Sequence, residues 1–202
     1  MRFSILVVFL FLTLSGCVTD APPGPADDYE ELSPCPVVAS PDPVAGGFHP
    51  DNRDEIERGG YLVELLGCGS CHTNGAFDGA PDMKMALAGS STGIAFSNPM
   101  GDAFPGIVYP PNITPDDETG IGSWSDRQIA NSIRAGIGRH GKRRIATMPW
   151  QAYARLTDDD VDAMVTYLRN IKPIRNDVPT EVRPGDRATH PFVYFGVYRS
   201  KK

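Results

Sequence analysis

The stretch Gly67-Cys68-Gly69-Ser70-Cys71-His72 has the residue types and spacing to do chemistry. Two thiols three positions apart, followed at once by an imidazole, can carry a redox pair, a metal or a covalent cofactor. A structural disulfide gives the histidine no purpose. A thioredoxin-like pair needs a preceding strand and a βαβ setting, which the flanking sequence lacks. A structural zinc site takes four ligands, and no second Cys/His pair stands at suitable spacing. Covalent attachment of haem c fits, because Cys-x-x-Cys-His is its signature. The thiols of Cys68 and Cys71 must reach two vinyl groups on one edge of the porphyrin. His72 must then project its ring under the iron. Gly69 and Ser70 are small enough for the backbone to turn tightly against the ring.

A low-spin haem used for electron transfer takes a second axial ligand. The candidates are Met83, Met85, Met100, Met148, Met164, His49, His140 and His190. Met164 falls on an apolar helical stripe and reads as core. Met83 and Met85 follow His72 too closely to reach the opposite haem face easily. Met148 stands in a loop stiffened by Pro149 and is the preferred ligand, with His140 the runner-up. Arg139, Lys142, Arg143 and Arg144 precede Met148 closely. They read either as a basic rim that steers an acidic partner or as a solvated loop.

Three helices must position these groups. Residues 54–66 place Ile56, Tyr61, Leu62, Leu65 and Leu66 on one stripe. Gly59 and Gly60 within it cost helix stability, which implies close approach of another helix. Ser125 and Gln128 have the spacing of a capping box, ahead of Ile129, Ile133 and Ile137. Residues 157–171 begin with a Thr cap and three aspartates suited to the helix dipole. Val161, Met164, Val165, Leu168 and Ile171 then fall on one face. Between the motif and Ser125, residues 73–124 form a long Gly- and Pro-rich stretch. Such a length is uncommon in a compact domain unless it has a task, and wrapping a cofactor is one. The run Phe192-Val193-Tyr194-Phe195 is expected as a short strand or a flap packed on the body.

The two ends of the 202-residue chain differ in character. Met1-Arg2 and the apolar run Phe3 to Leu14 are too short for a comfortable span and read as a secretory signal. Leu14-Ser15-Gly16-Cys17 resembles a lipoprotein cleavage site, with Cys17 as the lipidated residue. Two or more acyl chains would anchor the protein stably to a membrane surface. Residues 17–52 are acidic and Pro-rich, the composition of an extended tether. Cys35 within it reads as a solvated thiol. Residues 17–57 carry net charge −9 and residues 58–202 net +2, so the acidity belongs to the tether. No basic stripe with interleaved aromatics points to nucleic acid. The expected organisation is a signal over 1–16, a tether over 17–52, a mono-haem domain over 53–175 and a packed irregular tail over 176–202.

The chain resembles class I c-type cytochromes, and more closely the cytochrome c domains of bacterial gluconate and alcohol dehydrogenase cytochrome subunits. The resembling stretches are Arg58-Gly59-Gly60-Tyr61-Leu62, Cys68 to His72, Pro110 to Asp116, Thr119 to Ser125, Met148-Pro149 and Leu156 to Val161. The resemblance implies an all-α cytochrome c fold in which the Gly59/Tyr61 helix crosses the last helix near Tyr167. It implies Met148 as the distal ligand and the Pro81 carbonyl as acceptor for the ring N–H of His72, a bond that orients the ligand. It also implies that Asn112 and Trp124 lie near the haem propionates. Those relatives usually carry three haem motifs and a different anchor, whereas this chain has one motif. The expected function is a one-electron carrier, not an enzyme, with one covalent haem c on the periplasmic side of a bacterial membrane. It would exchange electrons with a dehydrogenase, another cytochrome or an oxidase. The alternatives are a dedicated haem subunit of a membrane dehydrogenase, a haem enzyme or sensor with a labile sixth ligand, and a non-haem thiol protein.

Overall fold

Two 13-residue helices cross in backbone contact, and the rest of the body is assembled on them. The computed structural model describes residues 53–145 and 147–201, together with Tyr29–Glu31. The signal segment, Cys17, Cys35, His49 and nearly all of the acidic linker lie outside the described residues. Helix α1 (Arg53–Leu65) buries Gly59, Leu62 and Val63. A Cβ at Gly59 would overlap the Ala163 carbonyl and sit 2.7 Å from Tyr167 Cβ. One at Gly60 would meet a Tyr167 ring carbon at 2.9 Å. The glycines that weaken the isolated helix are therefore what lets the two backbones touch. Arg58 pairs with Asp160, and Thr166 Oγ1 donates to Glu55 at 3.3 Å beside the crossing.

A one-turn helix, α2 (Cys68–His72), follows α1 directly. Helix α3 (Asp126–Arg134) starts with both halves of the expected capping box. Gln128 N donates to Ser125 Oγ at 3.3 Å, and Ser125 N donates to Gln128 Oε1 at 2.9 Å. It ends at Arg134, so Ile137 lies outside the helix and bridges to Arg143 instead. A short helix, α4 (Trp150–Tyr153), precedes α5 (Asp158–Asn170), whose cap Thr157 accepts from Asp160 N at 3.2 Å. Helix α5 buries Val161, Met164, Val165 and Leu168 against Leu62, Val63, Ile129 and Ile133 in one core. Arg169 locks α5 to the loop before α3. Its Nε donates to Asp126 at 2.8 Å, and its Nη atoms reach the carbonyls of Ile121, Gly122 and Trp124.

The all-α expectation holds only in part, since two small sheets accompany the five α-helices among the described residues. Strand β1 (Tyr29–Glu31) pairs antiparallel with β5 (Tyr198–Ser200). Strand β2 (Gly93–Ala95) lies between β3 (Ile107–Val108), antiparallel to it, and β4 (Phe192–Tyr194), parallel to it. Ile107 also exchanges both backbone hydrogen bonds with Val182 at 2.9 Å. A second small core of Ala95, Ile107 and Tyr109 forms there. These strands are two or three residues long, too short to show an alternating pattern in sequence. Phe192–Tyr194 is indeed a strand, while Phe195 projects outward, 70% exposed. The remaining tail is pinned from within. Asn112 Nδ2 donates to Ile174 O at 2.7 Å, and Asn176 Nδ2 donates to Ala88 O at 2.8 Å. No helix among the described residues is long and apolar enough to cross a membrane.

Gly59→Ala is expected to destabilise the haem-loaded protein by about 3 kcal/mol, because backbone must move to admit the methyl group. Gly60→Ala meets only the far end of a ring and gains helix propensity, so its cost should stay below about 1 kcal/mol. Denaturant unfolding of the pair checks this, and equal losses would refute the crossing. Asn112→Ala removes hydrogen bonds to Thr114, Thr119 and Ile174 at a buried position. A loss of about 2–3 kcal/mol is expected; a change under about 0.5 kcal/mol would contradict that role.

Candidate haem site

Gly67 turns the chain out of α1 with a left-handed backbone, φ 68°. Its amide still closes on Glu64 O at 3.0 Å, and its carbonyl accepts from Ser70 N at 3.0 Å. The helical turn that follows sets Cys68, Cys71 and His72 at spacings of three and four, which share one face. Both cysteines are free thiols. Burial pushes Cys68 up to about 11 and raises Cys71 as well, so both stay protonated at neutral pH. Tyr153 Oη donates to Leu66 O at 3.1 Å from beneath this turn, and burial lifts its own hydroxyl to about 12.

His72 Nδ1 lies 2.7 Å from the carbonyl oxygen of Pro111. A carbonyl only accepts, so Nδ1 carries the proton and Nε2 keeps its lone pair. Burial lowers the His72 pKa, which also favours the neutral ring. A neutral imidazole with one nitrogen committed to a carbonyl is the form a metal ligand takes. The acceptor is Pro111 and not Pro81, which corrects the expectation from resemblance. Residues 75–80 close on themselves through Ala80 N to Gly75 O at 3.0 Å, and Asp82 N returns to Asn74 O at 3.0 Å. Pro81 is left exposed outside that turn.

The Pro111 carbonyl is held by its neighbours. Ser90 N donates to Pro110 O at 3.0 Å, and Gly89 N donates to His72 O at 2.8 Å. Asn112, 3% exposed, accepts from Thr114 N and Oγ1 through Oδ1 and donates to Thr119 Oγ1 and Ile174 O through Nδ2. Its amide is thus spent within the protein.

These residues line a cleft of about 1160 Å³, part of it open to solvent. Ile113, Ile121, Ile129, Ile133, Leu168 and Trp124 make its lining mainly apolar. Cys68, Cys71, His72, Asn112, Trp124 and Met148 all face it, whereas Pro81 does not. Met148 is half-buried in the wall. Met164 also reaches the wall but is 1% exposed inside the helical core. Met83 and Met100 are exposed, as are His140 and His190. Of the basic loop, only Arg144 enters the cleft. Arg139 donates to Ser123 Oγ, Lys142 pairs with Glu181, and Arg143 lies 5.2 Å from the centre of the Trp150 ring. The role of Pro111 escaped the sequence reading; the Pro110-Pro111 pair ahead of a buried Asn was the available signal.

The donor set suits haem c: two protonated thiols and a neutral imidazole on one face, opening on a broad apolar cleft with a thioether in its wall. Residues 56–172 match the family model for cytochrome c. The chain is 38% identical over 146 residues to a fructose dehydrogenase cytochrome subunit of Gluconobacter japonicus, covering 71% of this chain and 26% of that protein. It is 36% identical over 132 residues to the cytochrome c subunit of a quinone alcohol dehydrogenase of Gluconobacter oxydans, covering 64% and 24%. It is also 27% identical over 148 residues to a dihaem c-type cytochrome of Cereibacter sphaeroides, covering 73% and 45%. The chain thus spans about a quarter of the length of the two dehydrogenase subunits. The family match takes in more than half of the chain, including the thiols, the imidazole and the walls of the cleft, and the chain belongs to the cytochrome c family.

Proposed function

We propose that this chain is a one-electron carrier with a single haem c ligated by His72 and Met148. The observation that carries the reading is that the wall of one cleft holds both thiols, a neutral imidazole with Nδ1 committed to Pro111, and a half-buried thioether. Cys68 and Cys71 fix the porphyrin edge as thioethers. When bound, the haem iron supplies a one-electron ferric–ferrous couple. His72 would hold the iron through Nε2, and the Pro111 carbonyl keeps its ring from rotating. Met148 would supply the second protein ligand, denying oxygen and peroxide an open coordination site. A thioether ligand raises the potential relative to a second imidazole. The mainly apolar lining disfavours the more highly charged ferric form, which works in the same direction.

Two of the three relatives named above are cytochrome subunits of dehydrogenases, which supports a second reading: a dedicated haem subunit with a permanent partner. Recovery from membranes at fixed stoichiometry with a dehydrogenase would favour it; isolation as a lone carrier would oppose it. For either reading we place the domain on the periplasmic side of a bacterial membrane, held by lipid on Cys17 and by the acidic linker. The intact mass of the mature protein tests the anchor. A chain beginning at an acylated Cys17 is expected, and an unmodified N-terminus elsewhere would remove it.

The ligation is tested by spectra of the purified protein, oxidised and reduced, with carbon monoxide added to the reduced form. One haem per chain, a low-spin spectrum with the weak far-red band of Met–iron ligation, and no carbon monoxide response are expected. Met148→Leu should abolish the far-red band and create rapid carbon monoxide binding. A wild-type protein that binds carbon monoxide promptly would mean an open site and an enzyme or sensor.

A further inference from the structure

Among the described residues, Arg144 is the one Lys, Arg, Asp or Glu side chain in the wall of the cleft. It is half-buried, and burial lowers its pKa. No carboxylate among the described residues lies within ion-pair distance of its guanidinium; the carboxylate whose charge acts on it from further away, Glu181, pairs with Lys142. Its backbone is clamped from both sides. Arg144 N donates to Gly136 O at 2.6 Å, and Trp150 Nε1 donates to Arg144 O at 3.3 Å. The guanidinium lies against Gly138, where an added Cβ would meet Nε and Nη2 at 3.4 Å. A cation withdrawn from water without an anion is costly, and this one is held in place toward a ligand cavity.

Of the two residues expected near the haem carboxylates, Trp124 carries no charge and Asn112 has no hydrogen to spare. Both hydrogens of the Asn112 amide are given to Thr119 and Ile174, so Asn112 cannot hold an acidic group of the ligand.

We propose that Arg144 is the anion-binding residue of this site, a guanidinium that takes a carboxylate arm of the bound tetrapyrrole and holds positive charge beside the iron. The inference rests on the haem c reading above. A planar fork suits bidentate contact with a carboxylate. Its charge stabilises the reduced iron, which carries one more electron.

The test is potentiometry of the haem-loaded protein. Arg144→Gln should lower the midpoint potential while leaving the low-spin spectrum unchanged. Arg143→Gln removes an equal charge from the adjacent exposed position and should leave the potential close to wild type. An unchanged potential in Arg144→Gln, or an equal fall in Arg143→Gln, overturns the assignment. If Arg144→Gln does not take up haem, a crystal structure of the wild-type haem protein decides. A haem carboxylate in hydrogen-bond contact with Arg144 supports the role, and a guanidinium more than about 4 Å from both carboxylates ends it. Failure of the cofactor reading itself is seen earlier and differently, as a wild-type protein without a haem c spectrum.

Discussion

The hydrogen bond from His72 Nδ1 to the Pro111 carbonyl joins segments 39 residues apart, and much of the structure can be understood as what that bond requires. The imidazole can present Nε2 to a metal only if its other nitrogen is occupied and its ring is fixed. The acceptor must therefore be rigid. Pro110 and Pro111 restrict the backbone by their rings, and Asn112 ties the next residues to Thr114, Thr119 and the tail. The irregular chain between the motif and α3 is long because it must leave His72, pass around the cleft and return with one carbonyl in position.

The helical frame solves a separate problem. The cleft needs firm walls, and Ile129, Ile133, Met164 and Leu168 serve both the cleft and the core behind it. Their positions depend on how closely α1 and α5 approach, hence on the missing side chain at Gly59. Arg169 then carries the position of α5 to the loop holding Ile121 and Trp124. Packing and site geometry are coupled through a few side chains that belong to both.

The sequence reading succeeded where the signal was local. The motif, the capping box at Ser125, the Thr157 cap and the glycine crossing are each written in a few neighbouring residues. Met148 was singled out because Pro149 follows it, and it does lie in the cleft wall. The reading failed where partners are remote. Pro81 and Pro111 are both prolines downstream of the motif, and only the folded path of residues 75–82 shows which carbonyl reaches the ring. Of the sheet, only the run at Phe192 is legible as a strand. Its partner Ile94 lies about a hundred positions earlier, and the strands at Ile94 and Ile107 are too short to show a pattern. Arg144 looked like one of four basic residues in a run, and only burial separates it from the rest.

The parallel pairing of β4 with β2 has a consequence for the order of events during biogenesis. Residues 192–194 complete the sheet behind Ile94 and Val108, which form part of the cleft, and they reach it from about a hundred positions further along the chain. Contacts of such sequence separation close late, since the entropy of a long loop must be overcome before they form. The helical turn bearing the thiols needs only its neighbours. An interval therefore exists in which the thiols are presented while that wall is still unsecured. The β4 pairing thus firms that wall of the cleft after the thiol-bearing turn has formed.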